Sequence, residues 1–346
     1  MLKKIMLFVA VFSAGLLPQA RATAGKTYVL NVRALPLGDG RVGDAPQSGS
    51  VYACQTHFRR GGARHAGSWI HGGAWNADQK LAVQGNVAWP DAAFFMKVSG
   101  DKRILYGNGL PVGAGTGIFP IRESDPAYAI DRNPNAVVPQ NVHLALPLHP
   151  KIASLPSCVP MGMVGVMTNG VALFNALDEA GRDAVAHEVQ DKCNGHPQHE
   201  GMYHYHGPSP CVKGWNKDDQ VIGYALDGFP ITSMFDAHGR EITNKDLDVC
   251  HGRVGPVVLD GKTVKIYHYV MTREYPYTIG CFRGTPVAGA SRGGQRYRRP
   301  PQEAVQACQG SASGAPCGFF TPRGDEVQGK CRDVPGGGMA CVPSGR

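Results

Sequence analysis

Of the 13 histidines in the chain, His196, His199, His204 and His206 crowd into one short stretch flanked by Cys193 and Cys211. A neutral imidazole is a ligand for Zn, Cu, Fe or Ni, and the spacing in Met202-Tyr203-His204-Tyr205-His206 suits that chemistry. On an extended backbone alternate side chains share a face, so His204 and His206 project together with Cβ atoms about 6–7 Å apart, near enough to grip one ion. Tyr203 and Tyr205 then take the opposite face. His196 or His199, upstream on a loop with Gly195 and Pro197, has the reach to supply a third ligand. Because ligation needs neutral imidazoles, affinity is expected to fall as the pH drops through the histidine range near ~6.5.

The pattern echoes at Tyr267-His268-Tyr269, in a strand expected over residues 263–271. His268 shares a face there with Val264, Ile266 and Val270, which predicts burial, and a buried imidazole must be hydrogen-bonded or metal-bound. His251, directly after Cys250, is one more candidate ligand. Two readings stay open: a transition-metal site, or a His–Tyr hydrogen-bond network that orders a disulfide-rich β fold. If an ion activates water, Glu200 or Asp227 is the candidate base. His187-Glu188-Val189-Gln190-Asp191 stops one residue short of the zinc-protease pattern, since Asp191 stands where the second His belongs, and it reads as a solvated helix face.

These groups must be positioned by short strands and turns. Residues 26–34 alternate, with Tyr28, Leu30 and Val32 against Thr27, Asn31 and Arg33, which predicts a half-buried strand. Trp69, Trp75 and Trp89 are expected to pack a β core. One helix is predicted over residues 175–192, with Asp178, Glu179 and Asp183 early, Lys192 late, Leu177, Ala180, Ala184 and Val185 at helical spacing, and Gly181 able to split it. Asp227-Gly228 and Asp260-Gly261 each stand between apolar runs and predict two hairpins. The loop Gly38-Asp39-Gly40-Arg41-Val42-Gly43 spells a dinucleotide fingerprint, but no helix follows it over residues 45–49, so no nucleotide cofactor is expected.

With 46 glycines and 26 prolines among 346 residues, the composition disfavours long helices and excludes a coiled coil or a helical repeat array. The formal charge of +8 is too mild to point to nucleic acid. Lys3 and Lys4, an apolar run over residues 5–17 and the small-residue sites Ala20-Arg21-Ala22 and Ala22-Thr23-Ala24 predict a cleaved signal peptide over residues 1–24. The run reaches about 20 Å, short of a membrane core, so no membrane insertion of the mature chain is expected. All 10 cysteines follow it, which implies up to five disulfides in an oxidising compartment. A basic Gly/Arg/Pro linker is expected over residues 285–301, and a small Cys-rich module over 302–346.

Tyr203-His204-Tyr205-His206 stands in a larger set of motifs. Asn108-Gly109-Leu110-Pro111, Asn133-Pro134-Asn135 and Asn169-Gly170-Val171 precede it. Gly223 to Ile231 around Asp227-Gly228, Cys250-His251-Gly252 and Tyr267-His268-Tyr269 follow. Together, across about residues 51–284, these resemble the YHYH-domain family of secreted bacterial proteins. The family's Asn-Gly-x-Pro motif is commonly followed by a His, where this chain has Gly113 or Ala114. The resemblance implies an extracytoplasmic, periplasmic or secreted, mainly β domain over residues 25–284, and it implies no established activity. The expected fold is therefore mainly β, sandwich-like and irregular, with one short helix near residues 175–192. The expected function is transition-metal binding, Cu or Zn, through the His-x-His pair; the alternatives are a metal-dependent hydrolase or oxidoreductase using the same site, and a non-catalytic structural or surface protein. The partner is not readable from the sequence.

Overall fold

The computed structural model describes residues 25–59, 61–287, 302–320, 326–333 and 339–343. The expected signal peptide and residues 288–301 of the expected linker lie outside the described residues. Strands dominate; the α-helices among the described residues are Ala184–His187 and Gln302–Gln306.

An eight-stranded mixed sheet carries the chemistry. Its order is Gly195–Pro197, Tyr203–Tyr205, Ala172–Phe174, Met163–Met167, Val221–Ala225, Pro230–Thr232, Lys262–Val270, Gly252–Leu259. Ala172–Phe174 pairs in parallel with Tyr203–Tyr205, and Pro230–Thr232 in parallel with Lys262–Val270; the other neighbours are antiparallel. The middle strands are buried along their whole length, which near-continuous apolar runs favour because neither face meets water. A second sheet of Phe94–Ser99, Lys102–Gly107 and Val142–Pro147 contributes Leu105, Val142, Leu144 and Leu146 to the same apolar cluster as Val164, Val166 and Ile231. The layering is therefore sandwich-like.

A second core holds Trp69, Trp75, Leu35, Val83, Ala186 and Val189, while Trp89 is half-buried and donates to Thr116 Oγ1 at 3.1 Å. Both expected hairpins form, Val221–Ala225 with Pro230–Thr232 and Gly252–Leu259 with Lys262–Val270. In the second, Asp260 and Gly261 both take positive φ, 50° and 77°, as a two-residue turn matched to strand twist requires. Five disulfides join Cys54 to Cys158, Cys193 to Cys211, Cys250 to Cys281, Cys308 to Cys331 and Cys317 to Cys341. The last two staple a small three-stranded sheet of Pro316–Phe320, Glu326–Asp333 and Met339–Pro343.

Two local expectations change. Residues 26–34 form no strand: Thr27 makes one bridge to Arg240, Val32–Ala34 is a 3-10 turn, and Tyr28 and Val29 are exposed. Asn31 Oδ1 accepts from Arg33 N, a side-chain bond that competes with strand pairing. The helix over 175–192 shrinks to Ala184–His187. Asp178 Oδ1 accepts from Ala180 N and Arg182 N, Gly181 turns at φ 78°, and the chain doubles back so that Leu177 faces Asp183. The helical turn starts only after Asp183, whose carboxylate caps Ala186 N at 3.2 Å. The early acidic residues thus serve a turn and a cap, roles in which short polar side chains outcompete helix propagation.

Candidate metal centre

Antiparallel pairing sets His196 directly opposite His204, and His206 follows at the end of the same strand. One ligand atom from each of the three imidazoles lies within 4.8 Å of the other two, and all three rings are buried. Phe174 stacks on His204 with centroids 3.8 Å apart and meets His206 edge-on, closing the pocket from one side.

The hydrogen bonds fix the tautomers of two rings. His204 Nδ1 faces Met202 O at 3.0 Å and His206 Nδ1 faces Asn175 O at 2.5 Å. A carbonyl oxygen only accepts, so each Nδ1 carries the proton and each Nε2 carries a lone pair. Those two Nε2 atoms stand 3.0 Å apart. Two ligands on a tetrahedral Zn at ~2.05 Å would lie about 3.3 Å apart. Burial, with the neighbouring imidazoles, holds His196 and His204 well below the ordinary histidine range, and burial brings His206 down to about 4. All three are neutral at pH 7, the state that ligation needs.

A fourth group converges that the sequence reading left on a solvated helix face. Glu188 closes the helical turn as its C-cap, and its Oε2 lies 3.3 Å from His196 Nε2 and 3.4 Å from His206 Nε2. Neither Glu188 Oε2 nor His196 Nε2 has a hydrogen-bond partner, although both are buried. Burial raises the Glu188 carboxyl well above its usual range, and Asp131 and Asp178 push it further. The turn is anchored from below: Trp69 Nε1 donates to Ala186 O at 2.8 Å, Gly38 N donates to Asp183 Oδ2, and His187 Nε2 meets Asp39 Oδ2 at 2.8 Å. The glycine-rich loop at 38–43 therefore braces the Glu188 turn. Asn133, from the Asn-Pro-Asn motif, donates to Pro197 O at 2.9 Å and steadies the strand that presents His196.

The tyrosines face away, as period two requires. Tyr203 donates to Asp191, and Tyr205 Oη accepts from Asn169 Nδ2 at 3.1 Å. His204 and His206 thus bond main-chain carbonyls through Nδ1, His196 Nδ1 lies 3.5 Å from Asn133 Nδ2, and the tyrosines bond Asp191 and Asn169. Gly113 and Ala114 line a cavity of about 690 Å³ with Asn169 and Cys211, on the Tyr205 side.

The other sequence candidates lie apart from the triad. The His199 side chain is 71% exposed and pairs with Glu200 at 3.8 Å. His251 Nε2 meets Thr272 Oγ1 at 2.9 Å, and His268 lies against Ile266 O and the Arg253 guanidinium. Asp227 accepts from Tyr269 Oη at 2.6 Å, Gly284 N at 2.9 Å and Phe229 N at 3.3 Å, which uses its carboxylate on the hairpin turn. Glu188 is marked in the sequence by the near-match at His187-Glu188 to the zinc-protease pattern, and Asn133 by the Asn-Pro-Asn motif, but neither signal assigns the residue to the triad.

No curated protein and no solved structure matches the chain. A family model described as YHYH protein matches residues 143–244, a stretch that holds the triad, Glu188 and the central strands. The chain carries a YHYH domain, in which the motif's two histidines, His204 and His206, meet a third, His196, across one strand pair.

Proposed function

We propose that the YHYH domain binds one transition-metal ion, Zn or Cu, through Nε2 of His196, His204 and His206, with Glu188 as the anionic fourth donor. The observation that carries this reading is the pair of Nε2 lone pairs facing each other at 3.0 Å while both Nδ1 protons are committed to carbonyls. Two facing lone pairs repel, and an unpaired carboxylate oxygen beside them adds to the demand for a cation. Three imidazoles and one carboxylate are a donor set that zinc accepts at tetrahedral geometry, and imidazole suits copper equally. The donors come from two strands and a helical turn, so the ion would cross-link elements that the 193–211 disulfide already draws together.

The burial of all four donors favours a binding centre closed to bulk water over a catalytic one, which keeps an open position. If the site is catalytic, Glu188, and neither Glu200 nor Asp227, stands where a base would act. Five disulfides favour an oxidising, extracytoplasmic location, and no helix among the described residues is long and apolar enough to cross a membrane. The test is elemental analysis of untagged protein purified from an oxidising compartment. One Zn or Cu per chain is expected in the parent and none in His204→Ala/His206→Ala; a metal-free parent that also shows no calorimetric uptake of either ion overturns the reading.

A further inference from the structure

The two Tyr-His-Tyr strands occupy equivalent places in the sheet, and the equivalence extends to most of its parts. Each is paired in parallel with the second strand of a hairpin, in the same register: Leu173 opposite Tyr205, and Ile231 opposite Tyr269. Each is paired antiparallel with the strand before it, again in the same register: Gly195 opposite Tyr205 and His196 opposite His204, Gly252 opposite Tyr269 and Arg253 opposite His268. The central contact is two-fold, since Gly165 lies opposite Ala225 and Gly223 opposite Met167.

Side chains repeat as well. Asp178 Oδ1 accepts from Ala180 N and Arg182 N around Gly181, and Asp236 Oδ1 accepts from His238 N and Arg240 N around Gly239. Asp191 Oδ1 accepts from Cys193 N and Gly195 N and receives Tyr203 Oη; Asp248 Oδ1 accepts from Cys250 N and Gly252 N and receives Tyr267 Oη. Asn194 and His251 take left-handed φ of 58° and 70° at the same step. A Cβ on Gly195 would meet Tyr203 Oη at 2.4 Å, and one on Gly252 would meet Tyr267 Oη at 2.2 Å. Even the imidazole is held alike, His204 Nδ1 on Met202 O at 3.0 Å and His268 Nδ1 on Ile266 O at 3.1 Å.

We infer that the sheet is one unit used twice, and that the second unit holds a latent transition-metal site in which the Arg253 guanidinium occupies the place of the ion. The donors differ by position. Arg253 stands where the first unit has His196 and Val270 where it has His206; the carboxylate of the second turn, Asp246, is committed to Arg240 and Thr243. With those donors gone, His268 Nε2 keeps a lone pair in a buried place, and Arg253 Nε donates to it at 3.3 Å. Asp219 meets the guanidinium at 3.2 Å and balances its charge. A fixed cation from the chain replaces a bound one, so the second half needs no metal to satisfy its histidine.

The inference rests on reading the first half as a metal centre, but its test counts an increment and so separates the two. Zn²⁺ bound per chain is measured by equilibrium dialysis for the parent, for Arg253→His and for Arg253→His/Val270→His. The expected result is one more ion per chain in the double variant than in the parent, and a weaker additional ion in Arg253→His, whatever the parent holds. Arg253 is one-quarter exposed in its side chain, so the single variant is expected to fold even if His is not accepted at the fully buried Val270. A folded Arg253→His protein with no increment, and no increment in the double variant if it folds, overturns the inference. A parent that binds nothing overturns the Proposed function alone.

Discussion

His204 and His206 point their Nε2 atoms at one another across 3.0 Å, and neither ring can turn away without giving up the carbonyl its Nδ1 holds. The facing lone pairs repel, which favours a cation between them or a proton from the raised Glu188 carboxyl beside them. An imidazolium is disfavoured, because burial would strip its hydration. Under the proposed reading the pocket is organised for an ion before the ion arrives.

The acid limit of metal binding follows. His206 is held at about 4 and its two neighbours are also lowered, so protons compete for the ligands only well below the ~6.5 of a free imidazole. Zn²⁺ affinity measured by calorimetry is expected to hold between pH 7 and 5.5 as far as the histidines are concerned, and to collapse nearer 4. A tenfold loss per ligand centred at 6.5 would show that the imidazoles are solvated.

His251 gives a second pH prediction away from the centre. Burial lowers it to about 3, so the unfolded chain takes up a proton at ~6.5 that the folded chain refuses until about 3. The unfolded state binds more protons in that window, and stability falls as the pH falls through it, by about 2 kcal/mol between pH 7 and 5 from this group. Asn suits the left-handed φ of 70° at this position, as Asn194 does at its counterpart. His251→Asn should cost stability at pH 7, through the lost Thr272 bond, and the gap to the parent should narrow or reverse at pH 5. Urea midpoints at the two pH values measure this; a gap independent of pH refutes it.

The parts of the fold that were readable before the structure depend on near neighbours. Asp227-Gly228 and Asp260-Gly261 dictate their turns locally, and the period of a strand puts His204 and His206 on one face whatever surrounds them. Glu188 was not readable, since its place follows from Asp178 and Asp183 bonding backbone amides instead of starting a helix at residue 175. His268 looked equivalent to His204 and is so in the backbone. What separates them is Arg253 against His196, a difference that acquires meaning only when the strands pair.

Gly195 tests the packing behind the triad. A Cβ there would lie 2.4 Å from Tyr203 Oη, and that hydroxyl is bound to Asp191. Gly195→Ala must push the Tyr203 ring off Asp191 or part the strands that carry His196 and His204, at a cost of about 1–3 kcal/mol by analogy with overpacked cores. Both routes disturb the ligands, so the thermal midpoint and the Zn²⁺ affinity should fall together. A loss of stability with unchanged affinity would mean that the histidines are not held by this strand pair.

Glu188→Gln separates metal binding from fold maintenance most sharply, because its expected effects have opposite signs in the two states. Without metal, the buried carboxyl is destabilised as an anion and titrates well above its usual range, so an isosteric neutral amide should leave the apo protein as stable or more stable at pH 7. With metal, the carboxylate becomes a donor, and its removal should weaken Zn²⁺ binding by about one to two orders of magnitude, the scale seen when groups around a metal centre are lost. The parent should also release close to one proton on binding at a pH below the raised Glu188 value, and the variant should release none, since its imidazoles are already neutral. Thermal midpoints with and without Zn²⁺, together with calorimetry in buffers of different ionisation enthalpy, read all three quantities. If Glu188→Gln destabilises the apo protein and leaves affinity and proton release unchanged, Glu188 is a structural group and the centre has three ligands.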